Sequence, residues 1–293
     1  VFCDIDLETF NLDPKQIEEK ITPSTKAILP VHLFGLSADM DKINNIATQH
    51  NLWVVEDAAC GFGSLYKGKH VGNFGDTGCF SFHPRKAITT GEGGMVTTSN
   101  DKLKEKIQRL RDHGAEISDL QRHLGSKPYL LANHPDAGYN QRMTDIQGAL
   151  GSKQMDRANE IVNERREIAL KYNAAFEKAD WLRLPVEPNG YRHGYQSYPC
   201  LFKPEDIFKD KILDVNKQRN IWMEELQDKG ISTRPATHAV HMLGFYAKKY
   251  NLEPEDFPNS KIANDCSISF PLFHGMTKDE QNYVIDKVLN FKN

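Results

Sequence analysis

No apolar run in this 293-residue chain is long enough to span a bilayer. Net charge is only −3, which gives no electrostatic case for nucleic acid or an anionic membrane as partner. Cysteine is scarce. Cys3, Cys60, Cys79, Cys200 and Cys266 are scattered and odd in number, which fits free thiols in a reducing cytoplasm better than a disulfide framework. There is no internal repeat and no low-complexity segment. Two nucleotide signatures are also missing. No G-x-G-x-x-G stands between a strand and a helix, which argues against a Rossmann dinucleotide site. "GSLYKGKH" (63–70) matches G-x-x-x-x-G-K, but His70 replaces the Ser or Thr that would hold magnesium, and no helical pattern follows.

What is present is ordinary globular composition, 39% hydrophobic and 26% charged. The length exceeds what one compact core usually takes, so two domains are expected. KAILPVHLFG (26–35) is a short apolar run. DMDKINNIATQH (39–50) carries Met40, Ile43, Ile46 and Ala47 on one helical face. LWVVEDA (52–58), TGCFSF (77–82) and GGMVTTS (93–99) read as strands, and Asn100 caps a helix bearing Leu103, Ile107 and Leu110. Buried strands alternating with helices predict an α/β domain with a largely parallel sheet.

The pattern then changes. Residues 113–138 read as irregular. The capping box Thr144–Gln147 opens a helical pattern running to about Ala179. WLRLP and QSYPCLF (196–202) predict antiparallel strands. A helix around 216–229 ends at Gly230, and a second capping box, TKDE (277–280), precedes a terminal helix. The boundary is drawn near residue 185, giving a large domain over 1–185 and a smaller α+β domain over 186–293.

Chemistry concentrates in "FSFHPRKAITTGEGG" (80–94), where Lys86 stands in a Gly-rich gap between two core strands. A loop lysine is ordinarily a solvated charge. In open α/β sheets, however, ligands bind beyond the carboxyl ends of the strands. Asp57 ends one apolar strand, and Ser81 and Lys86 end or follow another, so all three face one crevice. An acid and a lysine there can form a plain salt bridge. They can also form the two poles of a pyridoxal phosphate site: a lysine to hold the aldehyde as a Schiff base, and a carboxylate to keep the ring nitrogen protonated. Ser81 suits a phosphate oxygen. "HAVH" (238–241) has helical metal-ligand spacing, but no third ligand is in view.

Several stretches together resemble the DegT/StrS-type pyridoxal-phosphate-dependent sugar aminotransferases, which have the aspartate-aminotransferase fold (fold type I). They are "VFCDIDLETFNLDP", "KAILPVHLFG", "VVEDAACGFGS", "GNFGDTGCFSFHPRKAITTGEGGMV", "GYNQRMTDIQGALG" and "GISTRPATHAVH". The resemblance implies that Lys86 is the Schiff-base lysine, that Asp57 partners the pyridine nitrogen and that Ala59 packs on the ring. Cys60 falls near the ring hydroxyl, where the family usually has Gln. Ser81 would donate to the phosphate, and Asn140 would reach the phosphate of a neighbouring subunit's cofactor, implying a homodimer with shared active sites. His193, Arg234, His238 and His241 lie where the family meets its nucleotide-linked sugar.

The activity implied is transfer of an amino group from L-glutamate to a nucleotide-activated keto-deoxysugar, in amino-sugar biosynthesis. A related branch dehydrates the sugar and carries His in place of this lysine, so Lys86 favours transamination. A catalytically inactive relative or fragment is the remaining alternative. The family carries a segment before "VFCDID", with a Ser-Gly-Thr turn and a stacking aromatic that this chain does not contain, so the large domain is expected to be N-terminally incomplete.

Overall fold

The computed structural model describes residues 1–117, 119–125, 127, 129, 131–207 and 211–291. Along the chain, β1 (Ala27–Ile28), α1 (Met40–Gln49) and β2 (Trp53–Asp57) come first. A hairpin of β3 (Leu65–Tyr66) and β4 (Lys69–His70) follows, then β5 (Thr77–Ser81), β6 (Gly94–Thr97) and α2 (Asp101–Leu110).

The first sheet has the order β1-β2-β5-β6. β1, β2 and β5 are parallel, with Ile28 opposite Val54 and Asp57 opposite Cys79. β6 returns antiparallel to β5, Ser81 opposite Gly94. The parallel strands therefore end along one edge, and the Lys86 turn sits on that same edge because it joins β5 to β6. α1 covers this sheet with Met40, Ile43 and Ala47 buried, and Asp39 caps it by accepting from Lys42 N–H. The stretch that mimics a phosphate loop is the β3–β4 hairpin. Its turn residues, Lys67 (φ 49°) and Gly68 (φ 78°), both lie in the left-handed region, as a two-residue hairpin turn demands.

The second half of the chain contributes α3 (Asp145–Asp156), α4 (Ala158–Phe176), β7 (Leu182–Arg183), β8 (Tyr191–Arg192) and β9 (Tyr198–Phe202). α5 (Ile212–Asp228), α6 (Pro258–Cys266), β10 (Ser267–Phe270) and α7 (Lys278–Leu289) complete it. β10, β9 and β7 form an antiparallel sheet in that order, while β8 joins the β3–β4 hairpin. All five residues of β9 are buried. Tyr198, Cys200, Leu201 and Phe202 belong to one apolar cluster with Ile168, Tyr172 and Phe176 of α4, Val215 and Trp222 of α5, and Val284 and Val288 of α7. Leu7, Phe10 and Phe34 from the start of the chain pack into the same cluster. Asp4 closes this union: its carboxylate accepts from Asn259 N–H and Ser260 N–H at 2.8 Å each, capping the first turn of α6.

One helix was expected from Thr144 to about Ala179, and the structure divides it at Arg157 (φ −105°, ψ 7°). The Arg157 side chain pairs with Glu160 in the next turn and reaches His274. Within the stretch read as irregular, a six-residue helix spans Asp119–Leu124. Among the described residues no helix is long and apolar enough to cross a membrane.

Candidate active site

β2 alternates its side chains across the sheet, burying Val54 and Glu56 while Asp57 stays half-buried at the strand's end. The chain then turns through Ala58, Ala59 and Cys60. One Asp57 carboxylate oxygen accepts from Ala59 N–H at 3.0 Å, and the other has no partner among the described residues. Lys86 comes to this same turn from the far end of β5. Its Nζ lies 3.2 Å from Cys60 Sγ. Lys86 N–H donates to the His83 carbonyl at 2.9 Å, and Phe82 N–H to the Gly93 carbonyl at 2.9 Å, so the segment between β5 and β6 folds back as a compact turn. Gly91 stands there at φ +81°, a conformation only glycine adopts without strain. Ser81 Oγ accepts a long 3.4 Å bond from His83 N–H, which leaves its own hydrogen free to donate.

Glu56 explains why this edge is rigid. It is fully buried and shares its two oxygens among four donors. One oxygen accepts from Phe74 and Gly75 N–H at 2.7 Å each; the other accepts from Gly72 N–H at 2.6 Å and from His32 Nε2 at 2.9 Å. His32 Nδ1 accepts from Ala38 N–H at 3.0 Å, which fixes the tautomer with the proton on Nε2. Burial alone would raise the Glu56 pKa, but the hydrogen bonds from His32, Gly75 and Gly72 outweigh it and hold it below the ordinary value. The result is a carboxylate that ties the end of β1, the β2 strand and the loop before β5 together behind Asp57.

An acid with an oxygen unpartnered among the described residues, an amine at the turn that follows it and a hydroxyl on the adjoining strand end suit pyridoxal phosphate, and the surrounding sheet is that of the fold type I enzymes that use it. The chain belongs to the DegT/DnrJ/EryC1/StrS aminotransferase family, whose model matches residues 1–289. It is 35% identical to the spore coat polysaccharide biosynthesis protein SpsC of Bacillus subtilis, over 98% of this chain and 72% of that protein. It is 34% identical to the GDP-perosamine synthase of Escherichia coli O157:H7, over 99% of this chain and 72% of that protein. Among solved structures, the aminotransferase from Psychrobacter cryohalolentis superimposes with a TM-score of 0.87 at 30% identity, covering 98% of this chain and 74% of that one. The protein is thus a pyridoxal-phosphate-dependent sugar aminotransferase by family.

Of the residues singled out in the sequence, Asp57, Ala59, Cys60 and Lys86 come together at one turn, with Ser81 on the adjoining strand end. Asn140 is exposed and shares no hydrogen bond with them among the described residues; its backbone bridges to Asp112 after α2. α3 nevertheless touches the lysine turn, because Gln147, the capping-box glutamine, donates from Nε2 to the Glu92 carbonyl at 2.9 Å.

His193 is buried at 2% exposure, its ring stacked on Tyr195 at 4.0 Å between centroids, and its Nδ1 accepts from Tyr195 N–H at 2.9 Å. Burial pushes its pKa down to about 3. His241 is also buried, against Phe257, with Nε2 at 3.1 Å from the Pro254 carbonyl. Both rings therefore hold local backbone here. Arg234 and His238 are exposed, and Arg234 pairs with Ser269 through the backbone. Sequence reasoning missed Gln196, Arg165 and the role of Glu56. Gln196 and its partner Ala87 lie 109 positions apart, and no local pattern signals such a contact.

Proposed function

We propose that the chain transfers an amino group from L-glutamate to a nucleotide-activated keto-deoxysugar, in the making of an amino sugar. The observation that carries this reading is the meeting of Lys86 Nζ with the turn that directly follows Asp57. Lys86 would hold the cofactor covalently between turnovers. Its Nζ, as a free amine, would move a proton at the substrate carbon bearing nitrogen, acting as general base. Asp57 would use its unpaired oxygen to hold the ring N–H, keeping the charge there fixed. Ser81 would donate to the phosphate. Pyridoxal phosphate, when bound, supplies the electron sink that makes the carbon acidic and carries the amino group between the two substrates.

Relatives named for polysaccharide biosynthesis and as GDP-perosamine synthase support a sugar acceptor. Lys86, rather than the His of the dehydrating branch, supports transamination. Asn140 would serve a neighbouring copy, the two chains of a homodimer closing each site between them, and its exposure agrees with that role. Arg234 and His238 are the exposed candidates for the nucleotide-linked sugar. A screen of nucleotide-linked keto-sugars with glutamate tests the reading. Stoichiometric 2-oxoglutarate and amino sugar are expected. Ammonia with a deoxygenated sugar would instead place the chain in the dehydratase branch.

A further inference from the structure

We propose that Gln196 is a positioning residue for Lys86. Its carboxamide lies across the backbone on both sides of the lysine: Oε1 accepts from Ala87 N–H at 3.0 Å, and Nε2 donates to the Arg85 carbonyl at 2.8 Å. One planar group thus grips the peptide units before and after Lys86, as a neighbouring strand would. Only a carboxamide among neutral side chains offers a donor and an acceptor side by side for this, and glutamine rather than asparagine has the reach.

Gln196 is itself held from two directions. Arg165 of α4, only 6% exposed, donates from Nη2 to the Gln196 carbonyl at 2.6 Å and from Nε to the Tyr195 carbonyl at 3.0 Å. On the opposite side, Gly194 N–H donates to the Gly35 carbonyl at 2.7 Å and Ser197 N–H to the Phe34 carbonyl at 3.4 Å. Gly35 stands at φ +99°, and a Cβ there would lie 2.8 Å from Tyr195 N, so the approach requires glycine.

The lysine turn has its own bond from Lys86 N–H to His83, but Ala87 N–H has no acceptor other than Gln196 among the described residues. The position of Lys86 Nζ beside the turn after Asp57 is therefore set from α4 and the irregular segment between β8 and β9, through Gln196. Ala87 and Ile88 are buried behind the turn, while Arg85 is exposed and Lys86 half-buried, so loss of this grip acts on the lysine's position as well as costing a modest amount of stability.

The inference rests on the reading of Lys86 as the cofactor lysine, and the test separates the two. Gln196→Ala and Gln196→Glu are compared with the unaltered chain by three readouts: melting temperature, hydrogen exchange at the Ala87 amide in cofactor-free protein, and the rate at which added pyridoxal phosphate becomes fixed to the Lys86 peptide on borohydride reduction. Gln196→Ala should raise Ala87 exchange about tenfold and slow attachment about tenfold, the size expected for two lost hydrogen bonds, with melting lowered by only about a few degrees. Gln196→Glu keeps an acceptor for Ala87 but sets a carboxylate oxygen against the Arg85 carbonyl. Its Ala87 exchange should stay within about twofold while attachment slows as in Gln196→Ala.

Normal exchange and attachment in Gln196→Ala overturn the proposal. If that variant fails to fold, normal attachment in Gln196→Glu overturns it alone. Label fixed to a different lysine in the unaltered chain refutes the Lys86 reading, and the exchange result then still decides whether Gln196 holds this turn.

Discussion

Lys86 Nζ lies 3.2 Å from Cys60 Sγ, an amine from one loop set against a thiol from another at the carboxyl edge of the parallel sheet. A thiol is a weak hydrogen-bonding group, so this contact orients the amine without fixing it as a charged partner would. The lysine stays available to react.

Lys86→Ala should therefore abolish transamination, read as 2-oxoglutarate formed from glutamate, and should leave the melting temperature nearly unchanged. Cys60→Ala should change turnover by only about threefold or less, since a weak bond is lost. Turnover retained in Lys86→Ala would show that another group carries the amino transfer.

Asp57→Asn keeps the shape of the side chain and its bond from Ala59 N–H, and removes the charge. The ring nitrogen that Asp57 would hold should then lose its proton. The rate of the glutamate half-reaction should fall on the order of 10²-fold or more, the scale of a lost electrostatic contribution in a catalytic site. An Asp57→Asn enzyme with normal rates would make Asp57 a structural residue.

Acid should unfold the protein in two windows. Burial holds the His193 pKa at about 3, below its ordinary 6.5, so the unfolded chain takes up a proton there that the folded chain refuses. That contribution is fully present above 6.5 and is lost progressively as pH falls toward 3, at up to about 1.4 kcal/mol per pH unit. Glu56 acts later. Its folded pKa lies below the ordinary 4.5, so its contribution is intact above 4.5 and disappears as pH falls through the folded value. Denaturant unfolding across pH should show a flatter curve between 6.5 and 4.5 for His193→Asn, whose side-chain oxygen can still accept from Tyr195 N–H. Glu56→Gln should leave that slope alone but lower stability by about 3 kcal/mol at neutral pH, because an amide N–H2 would face buried donors.

Asp4→Ala should cost about 1–2 kcal/mol, the usual loss for a helix cap. Asp4→Asn should recover part of it, since an amide oxygen can still accept from one of the two N–H groups. Equal stability of all three, by chemical denaturation, would mean that water replaces the cap without penalty.

Much of the first unit was legible. The apolar run 52–58, the periodic face of α1 and the Asn100 cap are local signals, and β2, α1 and α2 lie where those signals placed them. Both capping boxes form, at Thr144 and Thr277. The rule that ligands gather at the carboxyl ends of parallel strands was enough to bring Asp57, Ser81 and Lys86 to one edge. The break at Arg157 was not legible, because the residues on either side favour helix and only side-chain partners in the folded state, Glu160 and His274, accompany it.

The histidines mark the limit most clearly. The family resemblance made His193 and His241 candidates for the sugar, whereas in the structure both rings are buried and each sets one nitrogen against backbone. Whether a polar side chain meets solvent or core depends on which distant segment covers it. The sequence alone determined the class of sheet and set Asp57, Ser81 and Lys86 at one edge of it, through periodicity and strand ends, while the roles proposed for them come from the resemblance to the family. Only the tertiary structure decided what holds that lysine in place. Gln196 bonds residues 109 and 111 positions away, Arg165 residues 30 and 31 away and Glu56 residues 16 to 24 away, and such contacts come into being only when those segments pack together.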